Sequence, residues 1–259
     1  MIPFREFRTL LQKPRQSADA WYGKWMARRL SIYVTWFFAH LGLGANQATL
    51  LSLVFALIGI ASLALGHFAL GILSINVWYV LDHVDGELAR LRKSSSLGGT
   101  FFDTVINFLI QPFTFLGWCF GLIPYFGNEV LLWGALAASG SLMLIAIPIT
   151  EEAVLFNEVR KTGATFQKTG KSGSSGIEKQ NLVKKMYTLI HTFATFPSIL
   201  CILTVGYFLL LIFTRDSEFH IYFLHRLLMI DAFLVTAIWI LELVYKIYFQ
   251  PLDGRWKSV

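Results

Sequence analysis

Residues 81–107 read LDHVDGELARLRKSSSLGGTFFDTVIN, and the spacing within them decides the architecture. Asp82 and Asp85 are three apart, so on a helix turning about 100° per residue they share one face, and Gly86 and Ala89 continue that stripe. After a short polar turn, Gly99, Asp103 and Asn107 form a second stripe at steps of four. If the two helices are antiparallel neighbours, three carboxylates and an amide meet at one end of a hairpin, and the small residues beside them leave room for a ligand against the backbone.

What surrounds this stretch says that the hairpin stands in a membrane. The 259 residues are 55% hydrophobic and 15% charged, with a mean hydropathy of +0.58, where a soluble domain carries about 25% charged residues. No Asp, Glu, Lys or Arg occurs in 30–81, 104–128, 130–150 or 186–214. A helix needs about 20 apolar residues to cross the hydrocarbon core. The sequence therefore predicts an all-α integral membrane protein with six transmembrane helices, near 47–66, 68–90, 100–121, 129–153, 186–213 and 222–246. Gly42, Gly44 and Ala45-Asn46 interrupt the long uncharged run, which leaves Leu30–Leu43 too short to span. With Trp21, Tyr22, Trp25, Trp36 and Phe37 beside Lys24, Arg28 and Arg29, it reads as an N-terminal interfacial amphipathic helix. The division expected is 1–45 as cytosolic segment plus interfacial helix, and 46–259 as one six-span domain.

In that arrangement all but two of the 22 Lys and Arg fall on one side, the exceptions being Arg215 and Arg226. By the positive-inside rule the acidic hairpin end and both termini are cytosolic. The net charge of +6 is then a membrane-surface feature and no nucleic-acid footprint. Cys119 and Cys201 lie in apolar runs and behave as small hydrophobes, not as a disulfide framework. The first residues, MIPFREFRTLLQKPRQ, lack the short apolar core of a cleavable signal peptide, so later helices are expected to direct insertion. Lys161–Lys185, with GKSGSSG, reads as a flexible connection. Its Gly170-Lys171-Ser172 is no phosphate loop, because Thr165 stands where the first glycine is needed and no strand precedes it.

Three carboxylates at the edge of hydrocarbon repel one another and are costly to desolvate, so a cation is needed. An all-oxygen set favours a hard ion, Mg²⁺ or Mn²⁺, which keeps open positions for phosphate oxygens. Such a site suits chemistry on a phosphate ester.

The pattern Asp-x-x-Asp-Gly-x-x-Ala-Arg, eight residues, then Gly-x-x-x-Asp resembles the signature of the CDP-alcohol phosphotransferases. It is matched at Asp82, Asp85, Gly86, Ala89, Arg90, Gly99 and Asp103, and Asn46 and Thr49 resemble that family's Asn-x-x-Thr element. The resemblance implies a transferase in which an alcohol attacks the phosphate of a CDP-linked donor such as CDP-diacylglycerol, releasing CMP, in phospholipid or related phosphodiester synthesis. It implies two divalent metal ions on Asp82, Asp85 and Asp103. It also implies a CDP site shaped by Asn46, Thr49, Asp82, Gly86, Ala89, Arg90 and Gly99. A homodimer, one lipid among donor and acceptor, and a bacterial plasma membrane are further expectations of the same kind. The signature ends on an aspartate that serves as general base, and this chain has Asn107 there. An amide accepts no proton at useful pH and is a weak metal ligand. A substitution that traps a complex, a natural homologue with altered or lost activity, and an enzyme using another base all remain open. The rival from another class is a silent homologue that binds CDP-lipid and metal without turnover, and a cation transporter stands third.

Weaker signals have bland readings. His83 lies about 100° round the helix from Asp82 and packs. Glu151 and Glu152, near Asn157 and Arg160, are solvated helix-end charges or the lining of an acceptor pocket. Glu242 pairs with Lys246 one turn on. Asp231 lies deep in a span, where an acid faces a cavity or a partner such as His225 or Arg226. His191 carries no signal. A phosphorylated acceptor would call on Arg160, Lys161 and the 168–185 loop, and a lipid acceptor on an apolar lateral opening.

Overall fold

The computed structural model describes residues 8, 11, 22–94, 96–162, 166–168, 195–214, 216–248 and 256–258. These residues are helical apart from turns and one short strand pair. A π-helical turn, Gly23–Ala27, runs into α1 (Arg28–His40). There follow α2 (Ala45–Ala64), α3 (Phe68–Leu91), α4 (Leu97–Phe126), α5 (Val130–Thr162), α6 (Phe196–Phe213) and α7 (Ser217–Tyr248). Strands β1 (Phe166–Lys168) and β2 (Trp256–Ser258) pair antiparallel, an addition to the all-helical expectation. The start of the fifth expected span, His191 and most of the Lys161–Lys185 segment lie outside the described residues.

Four segments among the described residues are long and apolar enough to cross a membrane: Ala45–Ala64, Leu97–Lys161, Phe196–Phe213 and Ser217–Ile247. The second, 65 residues long, contains both α4 and α5 joined by the turn Gly127–Glu129. The protein is thus a multi-pass membrane protein by length and composition. α3 is not among the four, because Asn76, Asp82, His83, Asp85, Glu87 and Arg90 dilute its apolar stretch.

The helices close a ring: α3 packs on α2, α2 on α4, α4 on α5, α5 on α7, α7 on α6, and α6 back on α3. α1 lies outside it against α3. Small residues permit the tight crossings that membrane helices use. A Cβ on Gly117 of α4 would sit 2.7 Å from the Ile60 carbonyl oxygen of α2, and one on Gly121 would overlap the Leu63 carbonyl. Gly66, at φ 78°, makes the turn from α2 to α3, where a side chain would be strained. The main core gathers Trp78, Phe115, Trp118 and Phe196 with the aliphatic faces of α6 and α7. Phe196 meets Trp78 and Phe115 edge-on, each at 5.9 Å, and so wedges the middle parts of α3 and α4 apart. A second core, Phe38, Ala48, Leu81, Val84 and Leu88, joins α1, α2 and α3 directly behind the acidic end of α3.

α1 has one exposed apolar face and one buried face. Leu30, Tyr33, Trp36, Phe37 and Leu41 are exposed, while Arg28, Ser31, Ile32, Thr35 and Phe38 are buried. Just before it, Tyr22 stacks on Tyr79 and its hydroxyl donates to Asn76 Oδ1 at 2.5 Å. Burial pushes the Tyr22 phenol up to about 12, which keeps it protonated as a donor.

Candidate active site

The two ends of the 81–107 hairpin are built differently. α3 runs on to Leu91 and turns off through Arg92 and Lys93, the latter at φ 51°. α4 starts behind Ser96, whose Oγ accepts from the Gly99 backbone N–H at 3.0 Å, an N-cap that fixes the first turn. A Cβ on Gly99 would crowd that Oγ at 3.2 Å. From here Asp103 and Asn107 project one turn apart towards α3.

Asp82, Asp85, Asp103 and Asn107 are all half-buried. The Asn107 amide donates to Asp103 Oδ1 at 3.2 Å, to the Asp103 backbone carbonyl at 3.1 Å and to Asp82 Oδ1 at 3.5 Å. Asp82 also hydrogen-bonds Asp103 and lies within electrostatic reach of Asp85. Thr49, on the first turns of α2, donates its hydroxyl to Asp85 Oδ2 at 2.8 Å. Arg90 lies close enough to act on Asp85 electrostatically, and the Gly86 backbone N–H donates to that carboxylate. A Cβ on Gly86 would approach the Arg90 guanidinium at 3.3 Å. The structure therefore brings Thr49, Asp82, Asp85, Gly86, Arg90, Asp103 and Asn107 to one place between α2, α3 and α4. Asn46 is exposed near the start of α2, Ala89 is half-buried on α3, and Gly99 is exposed at the start of α4.

Among the described residues no group of three or more His, Cys, Asp or Glu is arranged as a ready metal cage. The donors nevertheless fit a hard divalent ion in kind. The printed contacts of these carboxylates include neutral donors: the Thr49 hydroxyl and the Gly86 backbone N–H on Asp85, and the Asn107 amide on Asp82 and Asp103. Dipoles of this kind orient carboxylates without neutralising them.

The chain matches the CDP-alcohol phosphatidyltransferase family over residues 43–239. It belongs to that family. Comparison with curated proteins gives no match. Membership in the CDP-alcohol phosphatidyltransferases makes this a transferase fold, and the family match includes α2, α3 and α4 whole. The family acts by transferring a phosphate-linked alcohol group from a CDP-alcohol.

The remaining expected residues sit elsewhere. His83 packs edge-on against Tyr79 at 4.8 Å, with Nδ1 2.9 Å from the Tyr79 carbonyl, as its angle from Asp82 implied. Lys246 bridges Glu242 at 3.1 Å and Glu151 at 3.0 Å, so Glu151 is half of an ion pair rather than a solvated end. Glu152, Asn157 and Arg160 are exposed on the last turns of α5, and Lys161 pairs with Glu158 at 3.0 Å. Asp231 is 3% exposed, and among the described residues neither its Oδ2 nor His225 Nε2 has a hydrogen-bond partner, so these two atoms are not bonded to each other. His225 instead stacks on Phe126 at 3.9 Å.

Two features of the site escaped the sequence. Gln111 donates from Nε2 to Asn107 Oδ1 at 3.5 Å, which turns the Asn107 amino group towards the carboxylates. Continuing the step of four from Asn107 would have found it. Glu87, inside the motif but on the opposite face of α3, is fully buried against α1.

Proposed function

We propose that this chain catalyses transfer of a substituted phosphate from a CDP-linked donor, such as CDP-diacylglycerol, to an alcohol acceptor, with release of CMP. The observation that carries the proposal is the convergence of Asp82, Asp85 and Asp103 beside Thr49 and Arg90 in a family match of this length. Asp82, Asp85 and Asp103 would hold Mg²⁺ or Mn²⁺, two ions in all, with Asn107 as a weak additional ligand. Bound there, the metal supplies charge stabilisation for the transferring phosphate and the leaving oxygen.

The chain's own groups do the rest. Arg90 balances diphosphate charge by charge-assisted hydrogen bonds. Thr49 holds Asp85 in orientation, and Gly86, Ala89 and Gly99 let the nucleotide approach the backbone. Asn46, exposed at the entrance, completes the CDP site. At position 107 an acceptor hydroxyl meets an amide, which orients it but cannot take its proton.

The reading extends to topology. α2 to α7 are six helices of spanning length, counting α4 and α5 separately and including α3. Short connections join α2 to α3, α3 to α4, α4 to α5 and α6 to α7, so the two helices of each pair run antiparallel. We take all six as spans in the domain 46–259, α1 as the interfacial helix of segment 1–45, and the motif end and both termini as cytosolic. The setting would be a bacterial plasma membrane, with the active form a homodimer and either donor or acceptor a lipid of phospholipid synthesis.

The test is CMP release by the parent chain and by Asn107→Asp, over a panel of CDP-donors and alcohols with Mn²⁺ present. General-base catalysis is worth about 10²–10⁴-fold, so the aspartate variant is expected to gain on that order. A specific observation favours one second reading, a silent homologue: the Asn107 amide braces Asp82 and Asp103 where the family places its base. Metal-dependent donor binding without CMP release, even in Asn107→Asp, would select it.

A further inference from the structure

The acidic face of α3 has an opposite face that the reaction does not use. Glu87 lies there, roughly half a turn around from Asp85. It is 1% exposed. Its Oε1 accepts from the Ser31 hydroxyl at 2.9 Å and its Oε2 from the Thr35 hydroxyl at 2.6 Å. Both hydroxyls belong to α1, both residues are 0% exposed, and Arg28 is buried one turn earlier on the same stripe. A buried carboxylate in such a place is expensive unless its oxygens are satisfied. Here both are, and the donors come from a helix whose opposite face carries exposed Leu30, Tyr33, Trp36 and Phe37.

We infer that Glu87 is a positioning residue, fastened by Ser31 and Thr35 so that α1, seated at the lipid surface, sets the roll of α3 and with it the direction in which Asp82 and Asp85 face α4. The inference rests on the metal and CDP-donor reading of that site for its consequence, though not for the clasp itself. The geometry leaves little slack. The carboxylate is held at both oxygens, the pair Val84 and Leu88 packs into the core shared with Phe38 and Ala48 on either side of it, and a helix that rolls by one residue moves its acids through about 100°. Anything that lifts α1 from the lipid thus misaligns the carboxylates without touching them.

The experiment uses the full chain in lipid nanodiscs, with the double variant Ser31→Ala/Thr35→Val and the single variants Glu87→Gln and Glu87→Ala. Amide hydrogen exchange is followed in residues 82–91 and 200–213, and Mn²⁺ affinity and thermal unfolding are measured alongside. Groups behind metal ligands are worth about 10–100-fold in affinity. The double variant and Glu87→Ala are therefore expected to exchange faster in 82–91 alone and to bind Mn²⁺ about tenfold more weakly. Glu87→Gln, whose amide can still meet both hydroxyls, is expected to stay close to the parent in both. A merely structural role would lower the unfolding temperature and speed exchange in both segments together, and that pattern would overturn the inference. So would unchanged exchange in 82–91. If the parent binds no Mn²⁺ but the selective exchange effect is present, the clasp stands and the metal reading of the site falls.

Discussion

Two acidic clusters among the described residues are built in different ways. Where α5 meets α7, Glu151 and Glu242 close on Lys246 at 3.0 and 3.1 Å, so the cluster carries its own cation. Between α2, α3 and α4, Asp82, Asp85 and Asp103 meet a hydroxyl, an amide and a backbone N–H, with Arg90 at the edge. The first cluster cross-links two helices through one shared lysine. The second brings three carboxylates within reach of one another, and under the proposed function a divalent ion would offset their repulsion. The first joins acids from two helices to one lysine, and the second groups its acids with one another.

Substitutions can break this contrast. The largest effect is expected from Asp103→Asn or Asp85→Asn. Removing a ligand should cost more than the roughly 100-fold upper value seen for groups behind ligands, so Mn²⁺ binding measured by electron paramagnetic resonance should be lost. Retained micromolar-range binding in both variants would show that the cluster is only structural. Thr49→Val, which deletes the hydroxyl on Asp85 and keeps the shape, is expected to weaken Mn²⁺ by about tenfold. Lys246→Met should leave Mn²⁺ affinity unchanged. It strips a cation from two carboxylates, one of them buried, and should lower unfolding stability by roughly 3 kcal/mol. A change in Mn²⁺ affinity there would mean that the two clusters are coupled.

Much of the site was legible because it is local. Asp82, Asp85 and Gly86 are bound together by helical period, and Gly99, Asp103 and Asn107 by a second one. Only the meeting of the two helices had to be supposed. The Glu242–Lys246 pair, one turn apart, was legible for the same reason. Contacts between distant residues were not. Glu87 finds Ser31 and Thr35 across 56 and 52 residues, and Lys246 finds Glu151 across 95. No period links such pairs, so Glu87 looked like one more charge in a polar stretch and Glu151 like a solvated helix end. The inward face of α1 was hidden by its aromatic and basic residues, which advertise a headgroup-level helix and say nothing of Ser31 and Thr35. α3 illustrates the remaining difficulty. The polar residues to which the proposal assigns function are those that weaken its apolar signature, so it falls outside the segments recognisable by hydropathy.

The most direct measurement is the affinity of the purified chain for CDP-diacylglycerol in nanodiscs, with Mn²⁺ and then with the metal removed by chelator. The account predicts binding at least about tenfold tighter with Mn²⁺, and no metal effect in Asp85→Asn. Equal affinity with and without Mn²⁺ in the parent chain would contradict it.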